Sequence, residues 1–263
     1  MLKVYFLISN DRLFHPQMLD SILTSKTCEA VGVGIVTREN TVLQKRKFRQ
    51  LIWNIGFWGM RGCMHIAACL CSRRLASYQI SAREGSRVFW NIASVADYHG
   101  IACERVPDVN AVAFIERLRQ KNVDILFVSC PQILQRKILS VPRICAINKH
   151  SGKLPDYRGV FPVFYAMLND ESNATLTLHT MTERIDVGRV IVERQTALTP
   201  SSTLLDIYFK LYAMVPEAFA HAMSLLSASD CLDHFPAPPG QGKYYSFPTR
   251  KHLIAFKKNR RMV

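Results

Sequence analysis

Asn148 and His150 stand two residues apart at the end of an apolar run, Ile144–Asn148, inside the segment Ile147–Pro162 (INKHSGKLPDYRGVFP). Alternation along a strand turns both side chains to one face. The carboxyl end of a parallel strand opens into the crevice where α/β proteins bind ligands. An amide there can donate to an oxygen that gains negative charge, and an imidazole can exchange a proton near neutral pH. Together they suit acyl chemistry. Asp186 comes thirty-six residues after His150, within HTMTERIDVGRVI, in an expected loop before Gly188. A carboxylate so placed can orient the imidazole and favour its charged form. Spacing alone leaves a plainer reading open: polar strand-end residues with ordinary turns.

Periodicity gives the elements that must hold these groups. Lys3–Ser9 (KVYFLIS) is a continuous apolar run, as in a strand buried on both faces. Pro16–Thr24 reads as a helix, with Met18, Leu19, Ile22 and Leu23 on one side, and Ala30–Val36 as a second strand. Asn110 is the expected N-cap of a helix through Gln120. Asp124–Val128 and Ile144–Asn148 read as strands, Thr175–His179 and Arg189–Arg194 as a later pair, and Ser202 opens a helical stretch to about Leu226. Strands alternating with helices predict a doubly wound, mostly parallel α/β sheet.

Thr41–Arg87 breaks this alternation. Phe48, Leu51, Ile52 and Ile55 keep helical spacing beside Lys45, Arg46, Lys47 and Arg49, with Trp53, Phe57 and Trp58 following. Such a basic, aromatic helix fits either packing on the domain or a second subunit, or contact of residues 45–70 with a membrane surface. Arg61 interrupts the apolar stretch and argues against a span.

The 263 residues, 49% hydrophobic, suffice for a large core and exclude a disordered chain. Thirty-four Lys and Arg against 20 Asp and Glu give a net charge of +14, which favours phosphorylated, nucleic-acid or anionic-membrane partners. The opening MLKVYFLISNDR turns polar too early for a signal peptide, so the eight cysteines are expected as reduced thiols in a cytoplasmic protein. Cys63, His65, Cys69 and Cys71 lack the paired spacing of zinc sites, and no metal is expected. No dinucleotide or Walker-type glycine motif occurs.

Asn148-x-His150, Leu154-Pro155, Tyr157-Arg158-Gly159, Pro162, Thr177-x-His179-x-Met181 and Asp186-x-Gly188, in this order, resemble the folate-dependent formyltransferase family. The resemblance is clear over roughly 124–195 and loose over the first two strands. It implies a Rossmann-like catalytic domain over 1–200, with a helical insertion at 41–87, followed by a C-terminal helix and basic tail over 201–263. It implies 10-formyltetrahydrofolate as donor, an amine as acceptor, and Asn148, His150 and Asp186 as the catalytic trio. Pro131, Gln132, Ile133 and Leu134 would form one wall of the pteridine site, and Met181 and Ile185 the other. Lys153, Tyr157 and Arg158 are the expected acceptor-binding residues, and His179 a supporting residue.

The chain departs from the family at Gly152-Lys153 and Thr175, and about sixty residues after the core look short for a tRNA-binding β-barrel. The expected acceptor is therefore an anionic small molecule, an amino sugar on a nucleotide or lipid carrier. Methionyl-tRNA, hydroxyornithine, glycinamide ribonucleotide and a non-catalytic role are the alternatives. A homodimer and a peripheral place at the inner membrane face are further expectations.

Overall fold

The computed structural model describes residues 1–37, 62–76, 88–228, 232–237, 240 and 242–258. In chain order these form β1 (Lys3–Ser9), α1 (His15–Thr24), β2 (Glu29–Val36), α2 (62–76), α3 (Ile92–Tyr98), β3 (Cys103–Val106), α4 (Val112–Arg119), β4 (Ile125–Ser129), α5 (Arg136–Leu139) and β5 (Cys145–His150). Next come β6 (Arg158–Gly159), α6 (Pro162–Leu168), β7 (Asn173–Thr180), β8 (Val190–Ala197), α7 (Leu204–Ala228), β9 (Tyr244–Tyr245) and α8 (Arg250–Lys258). The main sheet runs β3-β2-β1-β4-β5-β7-β8, parallel from β3 to β5 and antiparallel across β7 and β8.

Two cores explain the continuous apolar strands. Val4, Phe6 and Ile8 of β1 point to one side, onto Met18, Leu19 and Ile22 of α1 and Val215, Phe219 and Ala222 of α7. Tyr5 and Leu7 point to the other, where Phe114, Ile115 and Leu118 of α4 cover the sheet. A strand covered by helices on both faces needs no polar alternation. This is the expected doubly wound fold.

The packing places α7 differently from the expected boundary at residue 200. Ten of its side chains, from Leu204 to Leu226, are buried, most of them in the same core as β1. The helix opens with a reciprocal cap: Thr203 Oγ1 accepts from Asp206 N (3.1 Å), and Thr203 N donates to Asp206 Oδ2 (3.2 Å). The segment beyond is more than a basic tail. β9 pairs with β6, and Phe256 of α8 is fully buried and stacks on Phe164.

Asn110 does not cap α4. Ala111 occupies that position without a side-chain bond. Asn110 instead donates through Nδ2 to Ile133 O (2.9 Å) and accepts from Gln135 N (2.8 Å), tying the loop after β4 to the loop before α4. Of the 41–87 segment, the described part is α2. The aromatic and basic positions 45–61 lie outside the described residues. No helix among the described residues is long and apolar enough to cross a membrane.

Candidate active site

β5 ends at the middle of the sheet's carboxyl edge, between parallel β4 and antiparallel β7. The register sets Asn148 opposite His179 and His150 opposite Thr177. Strand alternation then gathers Asn148, His150 and His179 on one face. Asp186 comes to them from the β7–β8 loop, in a left-handed backbone conformation (φ +52°) that a non-glycine residue adopts only where its surroundings hold it.

These four side chains share one network. Asn148 Nδ2 lies 3.3 Å from Asp186 Oδ1 and 3.2 Å from His179 Nε2. His150 Nδ1 lies 3.7 Å from Asp186 Oδ2, and His179 Nε2 3.5 Å from Asp186 Oδ1. Asp186 Oδ2 also accepts from Gly159 N (2.7 Å).

Carbonyl partners fix both imidazoles, because a carbonyl can only accept. His150 Nε2 donates to Tyr157 O (2.7 Å), leaving Nδ1 as the basic atom, turned toward Asp186. His179 Nδ1 donates to Thr180 O (2.8 Å), so its Nε2 accepts from Asn148. That contact, with Asp186 on the other amide hydrogen, sets the orientation of the Asn148 amide.

Burial sets the charges. Burial and the neighbouring His179 and Lys149 push the His150 imidazole below its ordinary range, against the pull of Asp186 and the Tyr157 carbonyl. Burial acts against the Asp186 carboxylate too, but the two imidazoles and the Gly159 N–H outweigh it and hold its pKa at about 2. The site thus rests with a neutral base beside a fixed carboxylate. Gly152 is part of the construction: a Cβ there would sit 2.9 Å from His150 Nε2 and 2.5 Å from Pro162 Cβ.

A cavity of about 530 Å³ opens over this network. Asn148, His150, His179 and Asp186 line it, as do all six residues expected around the pteridine: Pro131, Gln132, Ile133, Leu134, Met181 and Ile185. Ile133 is 58% exposed, while Leu134 is buried. Gln132 also spans outward, accepting from Val109 N and donating to Pro107 O.

The side chains of Lys153, Tyr157 and Arg158 do not line this cavity. Lys153 is 56% exposed and pairs with Asp156 (3.5 Å). Tyr157 bonds outward to Glu171 (2.6 Å), and only its backbone carbonyl serves the site, through His150. Arg158 Nε donates to Ile185 O (3.1 Å), bracing the loop that carries Asp186. Sequence reading also missed the wall made by Tyr244, Ser246 and Phe247. It arrives through the β6–β9 pairing, which no local pattern announces.

The cavity has the size of a small-molecule site, and its walls are mixed. Exposed Ile133 and Ile185 and half-buried Met181 offer apolar surface for a flat heterocycle, and the polar network stands at the inner end. A folate donor fits this division.

The comparisons agree with the motifs. Residues 102–223 match the family model described as formyl transferase. The fold is similar to phosphoribosylglycinamide formyltransferase from Anaplasma phagocytophilum: TM-score 0.60, 16% identity, over 93% of this chain and 99% of that one. It is similar to a sugar N-formyltransferase from a Shewanella species: TM-score 0.56, 13% identity, over 98% and 87%. It is also similar to an N-formyltransferase from Helicobacter canadensis in complex with folinic acid and dTDP-3-aminofucose: TM-score 0.55, 16% identity, over 93% and 71%. The stretch 102–223, which matches the formyl transferase family model, carries all four residues of the network.

Proposed function

We propose that the protein moves a formyl group from 10-formyltetrahydrofolate to the amine of an amino sugar held on a nucleotide or lipid carrier. The observation that carries the transfer reading is the convergence of Asn148, His150 and Asp186 at one end of a single cavity. The donor, when bound between the 130–134 and 181–185 loops, supplies an activated formyl carbon.

The chain's own groups then have distinct tasks. The Asn148 amide hydrogens are held by long contacts, which a more charged oxygen would displace. Asn148 thus donates to the formyl oxygen as negative charge builds on it. His150 Nδ1 takes the proton that the attacking amine must lose as its nitrogen bonds to the formyl carbon, and returns it to the tetrahydrofolate nitrogen as the bond from that carbon to the donor breaks. The imidazolium so formed is flanked by the Tyr157 carbonyl and the Asp186 carboxylate. His179 holds Asn148 and is a positioning residue.

The amino-sugar acceptor is supported by the exposed aromatic residues Tyr244 and Phe247 in the cavity wall, a surface suited to a sugar ring. The membrane-surface role of 45–70, a homodimer and a cytoplasmic location remain part of this reading.

The deciding assay mixes purified protein and 10-formyltetrahydrofolate with nucleotide-linked amino sugars, glycinamide ribonucleotide, hydroxyornithine and methionyl-tRNA. A gain of one formyl mass on an amino sugar is the expected result. Transfer to another acceptor alone overturns the substrate reading, and transfer to none overturns the activity.

A further inference from the structure

Lys149 stands between Asn148 and His150 and points to the opposite face of β5. It lines the same cavity, in a corner shared with Ser9, His15, Ser129 and Tyr212. The residue is only 8% exposed. Its Nζ donates to Ser151 Oγ (2.7 Å) and lies 3.6 Å from the centre of the Tyr212 ring. No carboxylate among the described residues forms an ion pair with it. The acid whose field it feels is Asp11, already engaged by three backbone N–H groups and by His15 Nδ1 (3.2 Å).

We propose that Lys149 receives an anionic phosphoryl group of the acceptor, in the corner formed with Ser9, His15, Ser129 and Tyr212. A buried ammonium without a carboxylate partner is costly, and such groups occur where function requires them. The surrounding groups suit a phosphoryl oxygen. The hydroxyls of Ser9, Ser129 and Tyr212 rotate to donate, and His15 Nε2 lies 2.8 Å from Ser129 Oγ and 3.4 Å from Tyr212 OH, organising them. With the helix end closed by Asp11, Lys149 is the cation through which this corner attracts an anion. The corner opens into the same cavity as His150, so an acceptor anchored there lies within the space that reaches the imidazole. This assignment deepens the formyl-transfer reading and rests on it in naming the ligand the acceptor.

The test is direct binding, which needs no turnover. Inorganic pyrophosphate is titrated into the full chain by calorimetry, with Lys149→Met and, as a surface-charge control, Lys210→Met. Weakening of at least about tenfold in Lys149→Met, with Lys210→Met unchanged, is expected, since bonds to charged groups carry roughly that effect. Equal binding by Lys149→Met, equal losses in both variants, or no binding by the wild type overturns the assignment. A second measurement guards against a misfolded variant. In the wild type, reductive methylation of Lys149, followed by mass spectrometry, is slowed by pyrophosphate. An unchanged Lys149 rate counts against the site. A chain that transfers formyl groups yet binds pyrophosphate without Lys149 refutes this assignment and leaves the activity standing; the reverse result separates them the other way.

Discussion

The two faces of β5 end in opposite electrostatic situations. On one, Asn148, His150, His179 and Asp186 satisfy one another, and every donor has a stated acceptor. On the other, one step along the same strand, Lys149 holds a buried ammonium against a hydroxyl and an aromatic ring. Burial pushes that ammonium down to about 7, although Asp11 works the other way, while Asp186 is held at about 2. Burial opposes charge on both faces. What differs is how many groups offset it: Asp186 has the Asn148 amide, the Gly159 N–H and two imidazoles, and Lys149 has one hydroxyl and one ring. The closed network suits a reaction centre that must be preorganised. The open one suits a group that waits for a ligand's charge.

The sharpest way to break this contrast is His150→Ala. Loss of the base is expected to lower kcat/KM by about 10²–10⁴, with the melting temperature nearly unchanged, as measured by turnover and thermal unfolding. Wild-type turnover would move the reaction centre elsewhere.

Asp186→Asn comes next. The Tyr157 carbonyl, not Asp186, fixes the His150 tautomer, so the loss reflects charge alone and is expected near a hundredfold. The same carboxylate gives an acid limb to stability. Its folded pKa lies below the unfolded value, so its contribution is complete above about pH 4 and disappears as pH falls through about 2. Urea titrations across that window should show a shallower slope in Asp186→Asn; identical slopes would remove the carboxylate from the network. His150 is lowered as well, so kcat/KM should hold its plateau down to below about pH 6.5 and fall beneath it.

Gly152→Ala sharpens the steric side. The added methyl meets Pro162 and His150, and overpacking of about 1–3 kcal/mol is expected in chemical denaturation, with a fall in kcat. Full stability and rate would show that the turn yields. The smallest effect belongs to Asn110→Ala. Losing the two bonds to the 131–135 loop should raise the KM for the folate donor with kcat nearly constant, at a stability cost near 1 kcal/mol. A change in kcat alone would mean that the loop serves the chemistry and not donor binding.

Much of this was readable from residue order. Lys3–Ser9 coincides with β1, and the runs around β2, β4, β5, β7 and β8 were found within a few residues, because a buried strand must be apolar throughout. That Asn148, His150 and Asp186 meet was legible because they lie at a strand end and in one loop. Lys153, Tyr157 and Arg158 stand outside the cavity that holds His150, because nearness in sequence says nothing of direction once Leu154–Pro155 turns the chain. Asn110 looked like a helix cap because capping residues and loop braces share a side-chain chemistry. Tyr244 and Phe247 were invisible, since the pairing of β9 with β6 joins segments more than eighty residues apart.

The sequence by itself determined the alternation of strands and helices, the chemical types at the reaction centre and the formyl-transferring family they resemble, because these depend on periodicity and on residues close along the chain. Only the tertiary structure decided which imidazole nitrogen is basic, which aromatic residues wall the cavity and that Lys149 opens into it. Those outcomes depend on a carbonyl, a distant strand and a helix face brought together by packing, and no local pattern encodes such a meeting.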